Sequence, residues 1–350
     1  MALILFDGFD TYGTSNILME WGQSIGGNNS INATGGRRGG SALYCPDNFN
    51  LNFIGAPSHI VSKSLPGNFT TFICGVAFEA SLFHQVKNIF LFRDAGTRQL
   101  EVGVNTAGQL FVSRNGTILA TSAASISENV YNYIEIKATI NNTTGSYEVR
   151  LNGATVLSAT NVDTQNTTNA YINEVVLGPY LAYPGSTTAF THKYDDFYFC
   201  DTTGSVNNNF LGDIRIDAIF PTADGNYSQW TPSTAGAHFS LVDENPPNTT
   251  DYVSDGTIGN KDSYVMQNPP SLVAQTIHAV KTRVAIQKDD AGARSVKIGV
   301  RSGTTNGLSS AIALGTSWAY VSHILETDPN TSAAWTASAV DNVEALIETA

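Results

Sequence analysis

The sequence predicts an all-β protein, on three observations. Charged residues make up only 14% of the 350 positions, well under the roughly 25% of an ordinary globular domain. Apolar residues reach 42%, enough to build a core, while Gly, Asn, Ser and Thr fill most of the remainder. Asn and Gly accept the positive φ that tight turns require, so this composition suits many short strands joined by turns. Third, alternating segments bounded by turn residues recur at roughly 8–12-residue spacing, which is the pattern of a sandwich or barrel rather than of βαβ units.

The opening Ala2-Leu-Ile-Leu-Phe, stopped by Asp7, has no basic leader before it and reads as a first strand. The Gly-rich run Gly35-Gly-Arg-Arg-Gly-Gly40 reads as a flexible turn leading into a strand at 41–45, with Arg37 and Arg38 as candidates for an anion or glycan contact. Residues 71–79 are almost wholly apolar, so they belong to a central strand. Residues 88–93 follow, then a turn at 94–96. At 99–104 Leu100, Val102 and Val104 share one face. Asn115-Gly116 and Asn152-Gly153 are the hairpin signals, the first joining 109–113 to 117–121 and the second joining 147–151 to 155–158. Residues 131–140 set Ile134, Ile136 and Ala138 against Tyr133, Glu135, Lys137 and Thr139. Strands at 170–177 and 194–200 complete the first half.

A polar Gly/Asn stretch at 202–209 marks a boundary, giving a β-sandwich over 1–203 and a smaller C-terminal β domain over 204–350. In the second domain, 211–220, 275–288, 294–301 and 318–327 read as strands. Residues 221–248, rich in Pro, Gly, Asn and Ser, read as one long loop. Residues 336–342 carry a short helical turn with Ser338 and Asp341 as a capping pair, and 343–347 return as a last strand.

The net charge of −12 argues against nucleic acid as a partner, because a phosphate backbone must be met by Lys and Arg. It argues equally against an anionic membrane, and no apolar run reaches the ~18–20 residues of a span. Cys45, Cys74 and Cys200 are odd in number and widely spaced, which is neither a disulfide framework nor a zinc pattern; they read as buried thiols. There is no G-x-S-x-G elbow, and the six histidines have no metal-ligand spacing. Asp213, Arg215 and Asp217 alternate as a charge ladder rather than as the E-x-D-x-x-E of a β-sandwich glucanase. The residues therefore predict no catalytic site. Asp7 and Asp10 on the first strand and Asp195 and Asp196 on the last are candidate ligands for a structural Ca²⁺, since first and last strands of a jelly roll run side by side. Strand alternation would put Asp195 and Asp196 on opposite faces.

The opening Leu-Phe-Asp-Gly-Phe-Asp-Thr-Tyr, the bend into Ser41-Ala-Leu-Tyr and the closing Tyr194-Asp-Asp-Phe-Tyr-Phe resemble concanavalin A-like and laminin-G-like jelly rolls. With Ser228-Gln-Trp-Thr-Pro232, His238-Phe-Ser-Leu-Val-Asp-Glu-Asn-Pro-Pro247 and residues 328–336, the chain resembles structural proteins of tailed-bacteriophage virions. That resemblance implies a non-enzymatic tail or tail-fibre protein with an outward lectin-like domain. The alternatives are a capsid decoration protein and a module binding a host surface glycan. It implies location in the virion and contacts with other virion proteins and with copies of the same chain. Trp230, an aromatic in a long polar stretch, is the preferred interface anchor among Trp230, Trp318 and Trp335, with core packing the expected use of at least two of the three.

Overall fold

The computed structural model describes residues 2–13, 16–25, 30–47, 60–84, 86–179, 190–270, 272 and 274–350. The chain divides into two compact units: Met1–Asp10 with Trp21–Ile216, and Thr11–Glu20 with Asp217–Ala350.

In the first unit the strands are β1 (Leu3–Asp7), β2 (Gln23–Ile25), β3 (Ser30–Asn32), β4 (Ala42–Asp47), β5 (Ile60–Phe69), β6 (Thr71–Ala80), β7 (Lys87–Asp94), β8 (Thr97–Val104), β9 (Gln109–Arg114), β10 (Thr117–Ser125), β11 (Asn132–Thr139), β12 (Gly145–Leu151), β13 (Ala154–Val162), β14 (Ile172–Leu177) and β15 (Phe190–Asp201). They form two antiparallel sheets, a jelly-roll β-sandwich. One sheet runs β13-β12-β11-β6-β15-β4-β3, with β1 also on β15; the other runs β10-β9-β8-β7-β14-β5-β2. First and last strands do pair, Asp7 opposite Phe197.

The core lies between the sheets. Phe72 of β6 meets Phe92 of β7 with ring centroids 4.5 Å apart, and Phe199 of β15 meets Phe69 of β5 at 5.4 Å. Ile134, Ile136 and Ala138 face this core and are essentially unexposed. The expected turns are present: Asn115 and Gly116 take φ 44° and 84°, Asn152 and Gly153 take 49° and 83°. Both pairs of values are those a two-residue hairpin turn needs. The three cysteines are buried, as expected.

Strand β8 departs from simple alternation, because its second face is buried as well. Gln99 donates to the carbonyl of Asn169 at 2.7 Å, and Ser113 donates to Glu101 at 2.6 Å.

In the second unit the strands are β16 (Pro221–Ser228), β17 (Thr231–Pro232), β18 (Val253–Ser254), β19 (Lys261–Met266), β20 (Val280–Ile286), β21 (Ser295–Ser302), β22 (Thr305–Leu308), β23 (Ile312–Ala313), β24 (Ala319–Leu325) and β25 (Glu344–Thr349). The main sheet runs β16-β19-β25-β21-β22, with β23 also on β21. Strands β20 and β24 pair separately, as do β17 and β18. The short helix α1 (Ala337–Asp341) is capped by Thr336, whose Oγ1 accepts the Ala339 N–H at 3.1 Å; Ser338 and Asp341 do not form the expected pair.

Two other expectations fail here. Residues 211–220 form no strand. Residues 221–248 are not one loop, because β16 occupies their first third as an edge strand. Its Tyr227 N–H donates to Ser263 Oγ at 3.0 Å and its Asn226 N–H donates to Glu344 at 2.8 Å. A Cβ at Gly225 would fall 2.5 Å from that same carboxylate and 2.9 Å from the Ser263 backbone carbon, so glycine suits this close approach.

Trp230 is not a surface anchor. It is 7% exposed and packs with Val296, Ile298 and Ile347. The sheet next to it supplies the local core that the polar sequence around Trp230 does not reveal. Trp335 is likewise buried, against Val300, Val340 and Val343. Trp230→Ala should therefore cost about 3–5 kcal/mol of stability and leave the mass in solution unchanged. Urea denaturation and light scattering check this; a stable variant with altered mass would restore the anchor.

Candidate functional site

Two places in the first unit gather polar side chains. The first is the outer face of the eight-stranded sheet. Tyr133 and Glu135 point outward from β11, opposite the core-facing isoleucines. On β6, Gly75 lies between Glu135 and Tyr198 in register. A Cβ at Gly75 would sit 2.2 Å from the Tyr198 ring, so the ring lies across the strand only because no side chain is there. Tyr198 then donates to Glu135 at 2.5 Å. The same carboxylate oxygen accepts the Gly212 N–H at 2.9 Å, and Leu211 N–H donates to the Tyr198 hydroxyl at 3.2 Å. Burial raises the Glu135 pKa, opposed by these donors.

Next to this row stands Arg37. Its guanidinium donates to Asp196 at 2.7 and 3.1 Å and also to Asp213. Its backbone N–H donates to Asp195 at 2.8 Å. Asp196 also accepts the Ile216 N–H at 2.7 Å. The β15 ladder is broken between Asp195 and Tyr198, and Asp196 takes φ 50°. That break brings both carboxylates to Arg37, where unbroken alternation would have parted them.

The expected Ca²⁺ ligands are thus close in the chain's fold but engaged separately. Asp7 accepts from Trp21 Nε1 and from the Phe9 N–H, both at 3.0 Å. Asp10 accepts the Ser41 N–H at 2.7 Å. Asp195 and Asp196 hold Arg37. Among the described residues, no group of three or more His, Cys, Asp and Glu side chains converges as a cation would need. Asp213 leaves the expected ladder with Arg215 and Asp217 to meet Arg37 and, at 3.4 Å, Arg38. The Gly-rich bend is pinned rather than flexible, since Arg37 belongs to it. His59 lies outside the described residues. His192 is fully buried with its ring against Phe78, and burial, with the Lys87 charge, lowers its pKa to about 3.

The second place is an open groove of about 530 Å³ at the end of the seven-stranded sheet. Its origin is a register break. Ile172 pairs with Phe69 and Glu174 pairs with Ser64, so Leu65, Pro66, Gly67 and Asn68 all stand against the single residue Asn173. Pro66 has no N–H to give the ladder and Gly67 has no side chain to pack, which suits an irregularity in the pairing there. Asn173 Oδ1 accepts the Ala95 N–H at 2.9 Å, which ties the β7–β8 turn to the wall. Its Nδ2 donates to Asn68 at 3.4 Å. Glu174 faces Arg93 at 3.6 Å. Ser64 and Asn68 are exposed. The sequence reading missed this strand altogether; Pro66-Gly67-Asn68 within an extended stretch is the signal that marks it.

Comparison with solved structures returns β-sandwiches. The alginate lyase Aly36B is 17% identical over 56% of this chain and 95% of its own, with a TM-score of 0.42. The alginate lyase vAL-1 from Chlorella virus is 10% identical over 52% of this chain and 93% of its own, at a TM-score of 0.41. Domain 4 of AbnA, an extracellular arabinanase from Geobacillus stearothermophilus in complex with arabinotriose, is 15% identical over 57% and 93%, at 0.37. Likenesses of this size concern the sandwich and carry no argument about substrate. No protein-family model and no curated protein matches the chain. The expectation of a non-enzymatic virion protein, on tail or head, is corrected by this finding: the folds that the sandwich is similar to are those of alginate lyases and an arabinanase domain. The expectation that the chain is not an enzyme falls with it.

Burial, then the neighbouring Asp196 charge, pushes the Asp195 pKa up to about 8. A carboxyl raised in this way holds a proton in the folded state that the unfolded chain releases near pH 4. Stability should thus fall as pH rises from about 4 to 8. Asp195→Asn should flatten that decline, even though the amide loses one of the two N–H bonds the carboxylate accepts. Urea midpoints between pH 5 and 9 measure it; a flat wild-type profile would mean that Asp195 is already ionised throughout.

Proposed function

We propose that the N-terminal sandwich recognises saccharides in the groove between residues 64–68, the 95–96 turn and residues 173–174. The observation that carries this reading is the groove's lining. Asn68 and Asn173 each offer a donor and an acceptor, Ser64 offers a hydroxyl, and Glu174 offers a charged acceptor. Vicinal sugar hydroxyls donate and accept together, and amide side chains match that need. Leu65 and Pro66 add apolar wall for the C–H faces of a sugar ring. An open groove, as opposed to a closed cavity, admits a residue within a chain as well as a chain end. The neighbours' printed names, alginate lyase and arabinanase, set the first sugars to try.

The test is calorimetric titration of the full chain with alginate and arabinan oligosaccharides and a panel of neutral oligosaccharides. Asn68→Ala and Ser64→Ala alter exposed side chains and leave the Asn173–Ala95 tie in place. Each should weaken binding by about 10-fold, the effect of one lost hydrogen bond of roughly 1–1.5 kcal/mol. Absence of binding across the panel, or binding untouched by both substitutions, would overturn the groove as the site.

A further inference from the structure

In the second unit, Ser228, His238 and Asp262 stand together with no part in the reading above. Ser228 closes β16 and lies directly opposite Asp262 of β19, so both side chains share one face. His238 opens the 3-10 turn His238–Leu241, which is tied back to β16 because the Phe239 N–H donates to Asp224 at 2.7 Å. His238 Nδ1 meets Asp262 Oδ2 at 2.7 Å. Ser228 Oγ lies 3.4 Å from Nε2 and 3.3 Å from Nδ1.

We infer that Ser228, His238 and Asp262 form a serine-nucleophile centre for hydrolysis of small-acyl carboxylic esters. Burial grades across the three as such a centre requires. The Asp262 side chain is 0% exposed and that of His238 is 12% exposed; Ser228 is exposed. Asp262 is fixed from every side: its Oδ1 accepts the N–H groups of Gln229 at 2.7 Å and Trp230 at 2.9 Å, and Oδ2 accepts the Tyr264 hydroxyl at 3.1 Å. A carboxylate so held orients the imidazole through Nδ1 and leaves Nε2 to the serine. Ser228 Oγ lies as near to Nδ1 as to Nε2, so the hydroxyl must turn toward Nε2 before it can give up its proton, a motion open to an exposed side chain. An open surface position reaches an accessible ester with a short acyl chain without needing an enclosed acyl pocket.

The chemistry closes without any further reactant than water. Oγ attacks the ester carbonyl as its proton passes to Nε2; the carbonyl carbon–alkoxy bond breaks, and the alkoxide leaves with that proton. Water then attacks the acyl-serine, gives its proton to Nε2, and the carboxylic acid departs while Ser228 regains its hydrogen. Ser228 and His238 are the catalytic residues. Asp262 is a positioning residue.

The test treats the full chain with a fluorophosphonate probe, maps the labelled residue by mass spectrometry, and follows p-nitrophenyl acetate hydrolysis. Labelling should fall on Ser228. Ser228→Ala, which truncates an exposed hydroxyl, and His238→Asn should each lower kcat about 10³-fold or more with circular dichroism unchanged. Asp262→Asn should lower kcat while KM holds, a split that loosened folding would not give. No label at Ser228, or a rate that survives Ser228→Ala, overturns the inference.

Discussion

Arg37 stands among Asp195, Asp196 and Asp213, and much of the first unit's outer face is organised around neutralising that group. The guanidinium joins three pieces of chain that are distant in sequence: the Gly-rich bend at 35–40, the broken stretch of β15, and the segment at 213–216. Removing the Arg37 guanidinium would leave the buried Asp196 carboxylate without its ion-pair partner, which typically costs about 3–5 kcal/mol. The β15 break follows from this demand. A regular strand would send one of two adjacent aspartates to the opposite face, away from Arg37. The positive φ at Asp196 turns both outward, at a local backbone cost that the charge pairing offsets.

Where local chemistry decides structure, the sequence was legible. Asn-Gly at 115–116 and 152–153 predicts hairpins because few other pairs tolerate positive φ twice in succession, and both are found. The alternation in β11 located both its faces correctly. What alternation could not show is that the second face is also covered: Glu135 accepts the Gly212 N–H from the segment 211–216, and the Tyr133 hydroxyl donates to the Asp196 carbonyl. That segment, 211–216, alternates like a strand, yet its N–H groups go to Glu135, Tyr198 and Asp196 instead of to a neighbouring strand. Strand β16 is the converse. Its Gly, Asn and Asp content reads as loop, but Ser263 and Glu344 across the sheet satisfy its N–H groups.

The candidate sites were less legible than the fold. Each depends on residues brought together by register, which composition does not encode. The groove exists because four residues of β5 stand against one of β14. The Ser228–Asp262 pairing exists because β16 and β19 are neighbours in the sheet. The expected functional class went astray for a related reason. A jelly roll is a scaffold shared by unrelated activities, so resemblance in the strands says little about what the loops and bulges hold.

The central claim is that Arg37 fastens the segment 211–216 to the sheet. Native-state amide hydrogen exchange at Gly212 and Ile216, in wild type and in Arg37→Met, tests it most directly. The Ile216 N–H is bonded to Asp196, and the Gly212 N–H is bonded to Glu135. Loss of the guanidinium should speed exchange at both sites while amides of β7 and β8, in the opposite sheet, keep their protection. Unchanged protection at Gly212 and Ile216 in a folded Arg37→Met chain would contradict the account.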